Sequence, residues 1–257
     1  MGLDRDRVLE LQRRGLREWI RFMGSCSAGA RTLELDGVSA AVVPQSPKRS
    51  IPNSVTYIDP EALVRSLDEL AAAYAAAGVE AWTVWVPDFD PEVIEALTAA
   101  GHDFDGKPAA MALELDGFDP PEIGELDWDA DATVEELGRL NDVAYGFTKD
   151  GFGASLSSSA GRHSARVYRA QIGGETACVT ATIDHGGDLG VYFVATAPEF
   201  RGRGLASRLL TAALLEARER GLKSSSLQAS GMGEPVYRRM GYGSPFRLHL
   251  YERRAAP

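Results

Sequence analysis

Apolar residues recur along this chain in two rhythms: a three-to-four-residue spacing that predicts helices, and short continuous runs that predict strands. In the second half a helical pattern covers 133–145, and the Gly/Ser-rich segment 146–161 reads as a loop by composition. Strand-like runs follow at 166–172, 176–183 and 189–196, separated by Gly173-Gly174 and Gly186-Gly187, pairs suited to tight antiparallel turns. Leu205, Leu209, Ala213 and Ala217 then share one helical stripe, which Gly221 ends. A strand at 225–229, a short helix at 234–240 and a closing strand at 246–252 complete this half. The predicted class is α+β, a mixed, mostly antiparallel sheet flanked by helices.

The first half runs in a similar order. A helical pattern through Leu63, Leu67, Leu70 and Tyr74 ends at Gly78, a strand follows at 81–86, a short helix at 91–100 ends at Gly101, and a last strand covers 109–115. Tyr57-Ile58-Asp59-Pro60-Glu61 stands where 195–199 stand in the second half. From Pro60 to Gly78 is 18 residues, whereas from Pro198 to Gly221 is 23, so five residues are missing from the earlier copy. A chain of 257 residues suits two domains of ordinary size, and 116–121 is a polar, proline-rich linker. The expected division is 1–118 and 119–257. Strand-helix-strand order is common, so chance likeness between the halves stays open beside duplication.

The five missing residues correspond to the most distinctive part of the later copy, Arg201-Gly202-Arg203-Gly204-Leu205-Ala206. This loop joins an apolar strand to a helix. Its glycines remove Cβ atoms where the chain must turn and approach a ligand, and the helix beyond it offers unpaired N–H groups and a positive dipole end. An anion, and a pyrophosphate in particular, fits such a loop. No Gly-Lys-Ser/Thr follows, and the third glycine of a dinucleotide fingerprint is absent. Taken alone, the loop also reads as a solvated surface turn.

The run 194–206, VATAPEFRGRGLA, resembles motif A of the GNAT superfamily of acyl-CoA-dependent N-acyltransferases, whose signature is Arg/Gln-x-x-Gly-x-Gly/Ala; Arg201, Gly204 and Ala206 match it. Downstream, 237–242, YRRMGY, is similar to the family's Tyr-x-x-x-Gly-Phe ending. The resemblance covers about 125–254 and implies two tandem GNAT-like domains, of which 1–118 is a degenerate copy without the phosphate loop and 119–257 the catalytic, acetyl-CoA-binding one. It implies an N-acetyltransferase that moves an acetyl group from acetyl-CoA to a primary amine of a small molecule or peptide, by direct attack through a tetrahedral intermediate. The alternative is a non-catalytic acyl-CoA-binding sensor or partner-binding module.

The resemblance also implies residue roles. The amides of Arg201, Gly202, Arg203, Gly204, Leu205 and Ala206 hold the pyrophosphate, with the two arginine side chains adding salt-sensitive attraction. Pantetheine extends along Val194, Ala195 and Thr196, where a backbone N–H serves the oxyanion. Tyr237 stands where relatives carry the general acid, and a phenol with a pKa of about 10 is protonated and able to donate at neutral pH; a packing tyrosine is the competing reading. Ser230 replaces an asparagine that frequently contacts the cofactor. The glutamate base of certain relatives falls on Gly190 and is absent. Asp188 or Asp184 is the substitute, although beside Gly186-Gly187 each also reads as a turn residue. The loop residues Tyr145, Phe147 and Phe152 are either acceptor contacts or loop anchors.

A formal charge of −10 with 44% hydrophobic residues describes an acidic, soluble globular chain and excludes nucleic acid as a partner. The charge is welcoming to cationic acceptors, and equally serves plain solubility. Cys26 and Cys178 lack metal-ligand spacing, and His102, His163, His185 and His249 form no i,i+4 pair, so no metal is expected. Without an apolar signal or spanning segment, the expected location is the cytoplasm, with no membrane partner. Two copies that cover each other's sheet edges suit a monomer, and a homodimer stays open.

Overall fold

In the computed structural model, which describes residues 3–148, 151–157 and 165–255, twelve strands join in one continuous sheet. The first half supplies α1 (Arg5–Met23), β1 (Arg31–Leu35), β2 (Val38–Val42), β3 (Ser54–Tyr57), α2 (Pro60–Ala76), β4 (Ala81–Pro87), α3 (Pro91–Ala99), β5 (Asp103–Gly106) and β6 (Ala109–Glu114). The second supplies β7 (Asp127–Asp129), α4 (Val134–Tyr145), β8 (Ala165–Ile172), β9 (Glu175–His185), β10 (Asp188–Thr196), α5 (Leu205–Glu219), β11 (Ser224–Ala229), α6 (Glu234–Arg239) and β12 (Gly243–Arg254). Every element expected from the apolar pattern is present within a few residues. Parts of the 146–161 loop, and His163, lie outside the described residues.

The local reasons are those read from the chain. Thr133 caps α4 by accepting from the Glu136 N–H, and Gly146 ends it in the left-handed region. Both glycine pairs between strands have two positive φ values, 62° and 81° at Gly173-Gly174 and 53° and 82° at Gly186-Gly187, as a type I′ hairpin turn requires. Each half contains the same unit of strand, helix, parallel neighbouring strand and short helix: β3-α2-β4-α3 and β10-α5-β11-α6. Helix α1 and strands β1 to β3 extend this picture toward the amino terminus.

The two halves interlock through their last strands. The sheet order is β1-β2-β3-β4-β12-β6-β11-β10-β9-β8-β7, with β5 also paired to β12. Thus β6, from the first half, lies antiparallel to β11, with Met111 opposite Leu227. Residues 248–254 of β12 lie against β4, while its opening residues meet β6. The linear division at 118 therefore does not separate the sheets. Strand β6 is buried from Ala109 to Leu113 and needs a neighbour on each edge. Strand β12, at 12 residues, spans about 40 Å, enough to serve both sheets. Helix α1 crosses this junction and buries Val8, Leu11, Leu16, Trp19, Ile20 and Met23. Among the described residues, no helix is long and apolar enough to cross a membrane.

Candidate active site

The glycine loop lies between β10 and α5. Gly202 and Gly204 have φ of 75° and 70°, and a Cβ on Gly202 would meet nothing within 4 Å, so conformation rather than space selects glycine there. Helix α5 begins at the Gly204 cap without a side-chain capping bond. Among the described residues, the amides of Gly202, Arg203, Gly204, Leu205 and Ala206 donate to no protein group. They form a cluster of orphan donors at a positive dipole end. The equivalent helix in the first half, α2, follows β3 almost at once, and its Asp59 carboxylate accepts from the Glu61 N–H at 3.0 Å. An acidic side chain thus sits at the terminus where the second half leaves its donors open.

The arginine side chains do a different job from the one expected. Arg201 donates to the Ala144 carbonyl at the end of α4 and to the Thr196 carbonyl at 3.3 Å, so it ties the loop to the scaffold. Arg203 reaches the Glu199 carbonyl at 3.4 Å and lies over the Phe200 ring. The loop's capacity for an anion therefore rests on its backbone.

Beside the loop, β10 and β11 part. Their parallel pairing runs from Asp188 and Ser224 to Val191 and Leu227, and stops there although both strands continue. A bulge between Tyr192 and Ala195 interrupts the pairing with β9, and Phe193 within it has φ of 54°, an uncommon conformation for a bulky side chain. Beyond the bulge Ala195 and Thr196 regain register with Val179 and Cys178. The edge of 193–196 that faced β11 is left open for an extended ligand.

The parting strands open into a cavity of about 310 Å³. Val194, Ser230 and Tyr237 are among its lining residues, together with Tyr145, Phe147 and Phe152. Tyr237 is nearly buried, packs edge-on against Tyr242 at 5.9 Å and makes no hydrogen bond among the described residues. Burial pushes its phenol well above the usual tyrosine range, which keeps the proton on the oxygen. The Ser230 hydroxyl oxygen accepts from the Gly233 N–H at 3.2 Å and so helps start α6, leaving its own proton to donate. Cys178, beneath Thr196, is a buried thiol whose pKa burial raises to about 11.

Several lining residues escaped sequence reasoning. Leu16 and Trp19 come from α1, Ile51 from the approach to β3, and Trp85 from β4, all in the first half. Trp19 stacks on Tyr192 at 5.3 Å and leans on Phe193 at 4.8 Å, while Phe152 meets Phe193 edge-on at 5.2 Å. Asn141 of α4 also faces the site. Asp142 accepts from the Phe152 and Gly153 amides at 2.6 and 2.8 Å and fixes the loop that carries Phe152. Helix α1 was not read from the chain, although Trp19 lies on its buried, helically spaced face with Leu16, Ile20 and Met23.

The expected acid-base residues are placed elsewhere. Asp188 is fully buried, accepts from the Ser224 and Ser226 hydroxyls at 2.5 and 2.6 Å, and is absent from the cavity lining. It has His185 Nε2 at 3.3 Å; burial raises the Asp188 pKa and lowers that of His185. Asp184 is held by both Nε and Nη2 of Arg220 at 2.9 Å. Neither carboxylate meets a substrate in the cavity, which corrects the expectation for Asp188. Gly190 has a steric reason: a Cβ there would lie 2.6 Å from the Tyr192 hydroxyl, itself bonded to the Gly15 carbonyl at 2.7 Å. Among the described residues, no group of three His, Cys, Asp or Glu side chains could hold a metal ion.

A mixed sheet whose parallel strands part beside an uncapped, glycine-led helix is the GNAT acyltransferase fold. Residues 188–244 match the family model of the acetyltransferase (GNAT) domain, and the chain shares the fold of the GNAT structures it is similar to. It is similar to a GCN5-related N-acetyltransferase from Kribbella flavida, with 18% identity over 98% of this chain and 96% of that one and a TM-score of 0.67. A GCN5-related N-acetyltransferase from Sphaerobacter thermophilus shares 17% identity over 86% and 78%, with a TM-score of 0.57. A tandem GNAT protein from the clavulanic acid biosynthesis pathway shares 14% over 100% and 98%, with a TM-score of 0.51. At such identities the likeness is one of fold. No curated protein matches the chain by sequence.

Proposed function

We propose that the protein is a cytoplasmic N-acetyltransferase that moves the acetyl group of acetyl-CoA to a primary amine of a small molecule or peptide. Residues 119–257 form the catalytic unit, completed by β6, and 1–118 form a copy that has lost the cofactor site. The observation that carries this reading is the parting of β10 from β11 between the orphan amides of the glycine loop and the Tyr237 phenol.

In this reading the amides of 202–206 hold the pyrophosphate, the open edge at Val194, Ala195 and Thr196 takes pantetheine, and Ser230 donates to it. The amine attacks the thioester carbonyl, and an N–H at the bulge receives the developing oxyanion. The carbon–sulfur bond breaks as Tyr237 gives its proton to the departing thiolate, and the proton shed by the amine passes to water. The first copy lacks the loop, and its Asp59 repels a phosphate from α2.

Calorimetric titration of acetyl-CoA into the wild type and Gly204→Asp tests the cradle. Aspartate is one of the less strained residues with a side chain in the left-handed conformation at Gly204, and its charge opposes a pyrophosphate. One equivalent bound by the wild type and none by the folded variant is the expected result; equal binding by both overturns the assignment. A binding-only acyl-CoA sensor is favoured by the absence of a carboxylate from the cavity lining among the described residues. Thiol release from acetyl-CoA in the presence of amines distinguishes it from an enzyme.

A further inference from the structure

We infer that Gln228 binds the acceptor amine: its side-chain oxygen accepts an N–H and holds the nitrogen where β10 and β11 part. The inference rests on the acetyl-transfer reading and adds to it a residue for the amine.

Gln12, Leu16 and Trp19 share one stripe of α1, at the i, i+4, i+7 spacing of a helix face. Leu16 and Trp19 line the cavity, and Gln12 is fully buried. Gln12 Nε2 lies 3.1 Å from the Met111 carbonyl and 3.2 Å from the Leu227 carbonyl. Carbonyl oxygens only accept, so the nitrogen of this amide must face them and its Oε1 must point away. That oxygen meets Gln228 Nε2 at 2.6 Å. It too only accepts, so Gln228 must turn its nitrogen to Gln12 and its own Oε1 away from it. Backbone carbonyls of β6 and β11, one from each half, thereby fix which way a cavity side chain presents its amide.

The oxygen so presented is open to a ligand. Gln228 lines the cavity and is only partly buried. Among the described residues, its Oε1 accepts from no protein group and is not sealed from solvent. Gln228 follows Leu227, the last residue of β11 paired with β10. A nitrogen held there stands at the start of the opening in which the thioester is proposed to lie. Ammonium and neutral amine both carry N–H groups for Oε1. A neutral amide does not titrate near pH 7, so Gln228 orients the amine while the proton passes to water. Gln12 is a positioning residue, acting through Gln228.

The probes that test this are 2-phenylethylamine and its N,N,N-trimethylammonium derivative, titrated at pH 7 and followed by tryptophan fluorescence, since Trp19 and Trp85 line the cavity. Both are cations at that pH and only the first has N–H groups, so amine pKa does not enter the comparison. The affinity ratio of primary to quaternary probe is expected to fall by about tenfold or more from wild type to Gln228→Leu, the loss of a hydrogen bond from a charged donor. Ring contacts and attraction of the cation to aromatic faces are common to both proteins and cancel in the ratio. Gln228→Met, nearly as long, is the second variant, and circular dichroism verifies that each is folded. Gln12→Leu frees the Gln228 amide to turn, so the ratio falls there too; a less stable Gln12→Leu with the wild-type ratio overturns the positioning role. A ratio unchanged in a folded Gln228 variant overturns the inference, as does a primary probe that does not bind the wild type. Calorimetry with acetyl-CoA keeps the two readings apart. If acetyl-CoA does not bind but the ratio falls, acetyl transfer fails and Gln228 still binds amines; if it binds and the ratio holds, only the role of Gln228 fails.

Discussion

Phe193 occupies mid-strand with a positive φ, and its cost, on the order of 1–3 kcal/mol, is offset by packing against Trp19 and Phe152. That one residue sits in the bulge where β10 turns away from β11, and Tyr237 is one of the phenols that line the cavity beside it. Tyr237→Phe removes a proton donor and little volume. Steady-state kinetics should show turnover lower by about 100-fold or more with calorimetric acetyl-CoA affinity unchanged; an unaltered rate makes it a packing residue. A second titratable residue bears on stability. His102 is buried against Trp82, with Nδ1 3.2 Å from the Leu97 carbonyl, and burial lowers its pKa from 6.5 to about 4. The unfolded chain takes up the proton first, so this contribution is full above pH 6.5 and lost as pH falls through about 4, on the order of 3 kcal/mol. Urea midpoints across that window should fall less steeply for His102→Gln than for the wild type, and identical slopes would refute the assignment.

Helices α5 and α2 hold corresponding places in the two strand-helix-strand units and have opposite termini. The first leaves its amides open behind a glycine, and the second closes them with Asp59. Helix α1 has a different task, because it fastens the junction where the halves exchange strands. Its buried Gln12 donates from Nε2 to the carbonyls of Met111 and Leu227 at 3.1 and 3.2 Å, residues that face each other across β6 and β11, and accepts from Gln228 at 2.6 Å. Gln12→Leu keeps the bulk and orphans these groups. Chemical denaturation should find it less stable by about 1–3 kcal/mol, and because Gln228 lines the cavity, a rise in acceptor KM should accompany the loss. A midpoint equal to that of the wild type would mean that Gln12 does not hold the junction.

At the scale of the molecule, the exchange of β6 and β12 makes the two halves one folding unit. A separated 119–257 fragment lacks the strand between β11 and β12, and a separated 1–118 fragment lacks the strand beside β4. Each would expose an unpaired sheet edge over an apolar core. Neither fragment is expected to bind acetyl-CoA or unfold cooperatively alone, whereas the two expressed together should co-purify and bind it. Independent folding of 119–257 with full acetyl-CoA affinity would show that the exchange is dispensable. With inner edges paired within one chain, light scattering is expected to find a monomer.

The amino-acid sequence determined what local physics controls. Period-3.6 stripes, apolar runs, glycine pairs and helix-ending glycines located the second half from α4 onward and α2, β4, α3 and β6 of the first, whereas α1, β1, β2, β3, β5 and β7 were not read from the chain. The glycine loop, the tyrosine of α6 and the shorter connection before α2 were likewise legible, since each is a feature of a few consecutive residues. What only the tertiary structure decided depends on contacts between distant residues. Strand exchange is set by which edges meet, and β6 has the same apolar pattern whichever sheet it joins. Asp188 reads as a reachable turn carboxylate until Ser224, Ser226 and His185 surround it. Arg201 reads as a phosphate ligand until the end of α4 arrives to accept its proton donors. The cavity, lined by Trp19 and Trp85 from the first half and Asn141 from the second, exists only because folding gathers residues more than fifty positions apart.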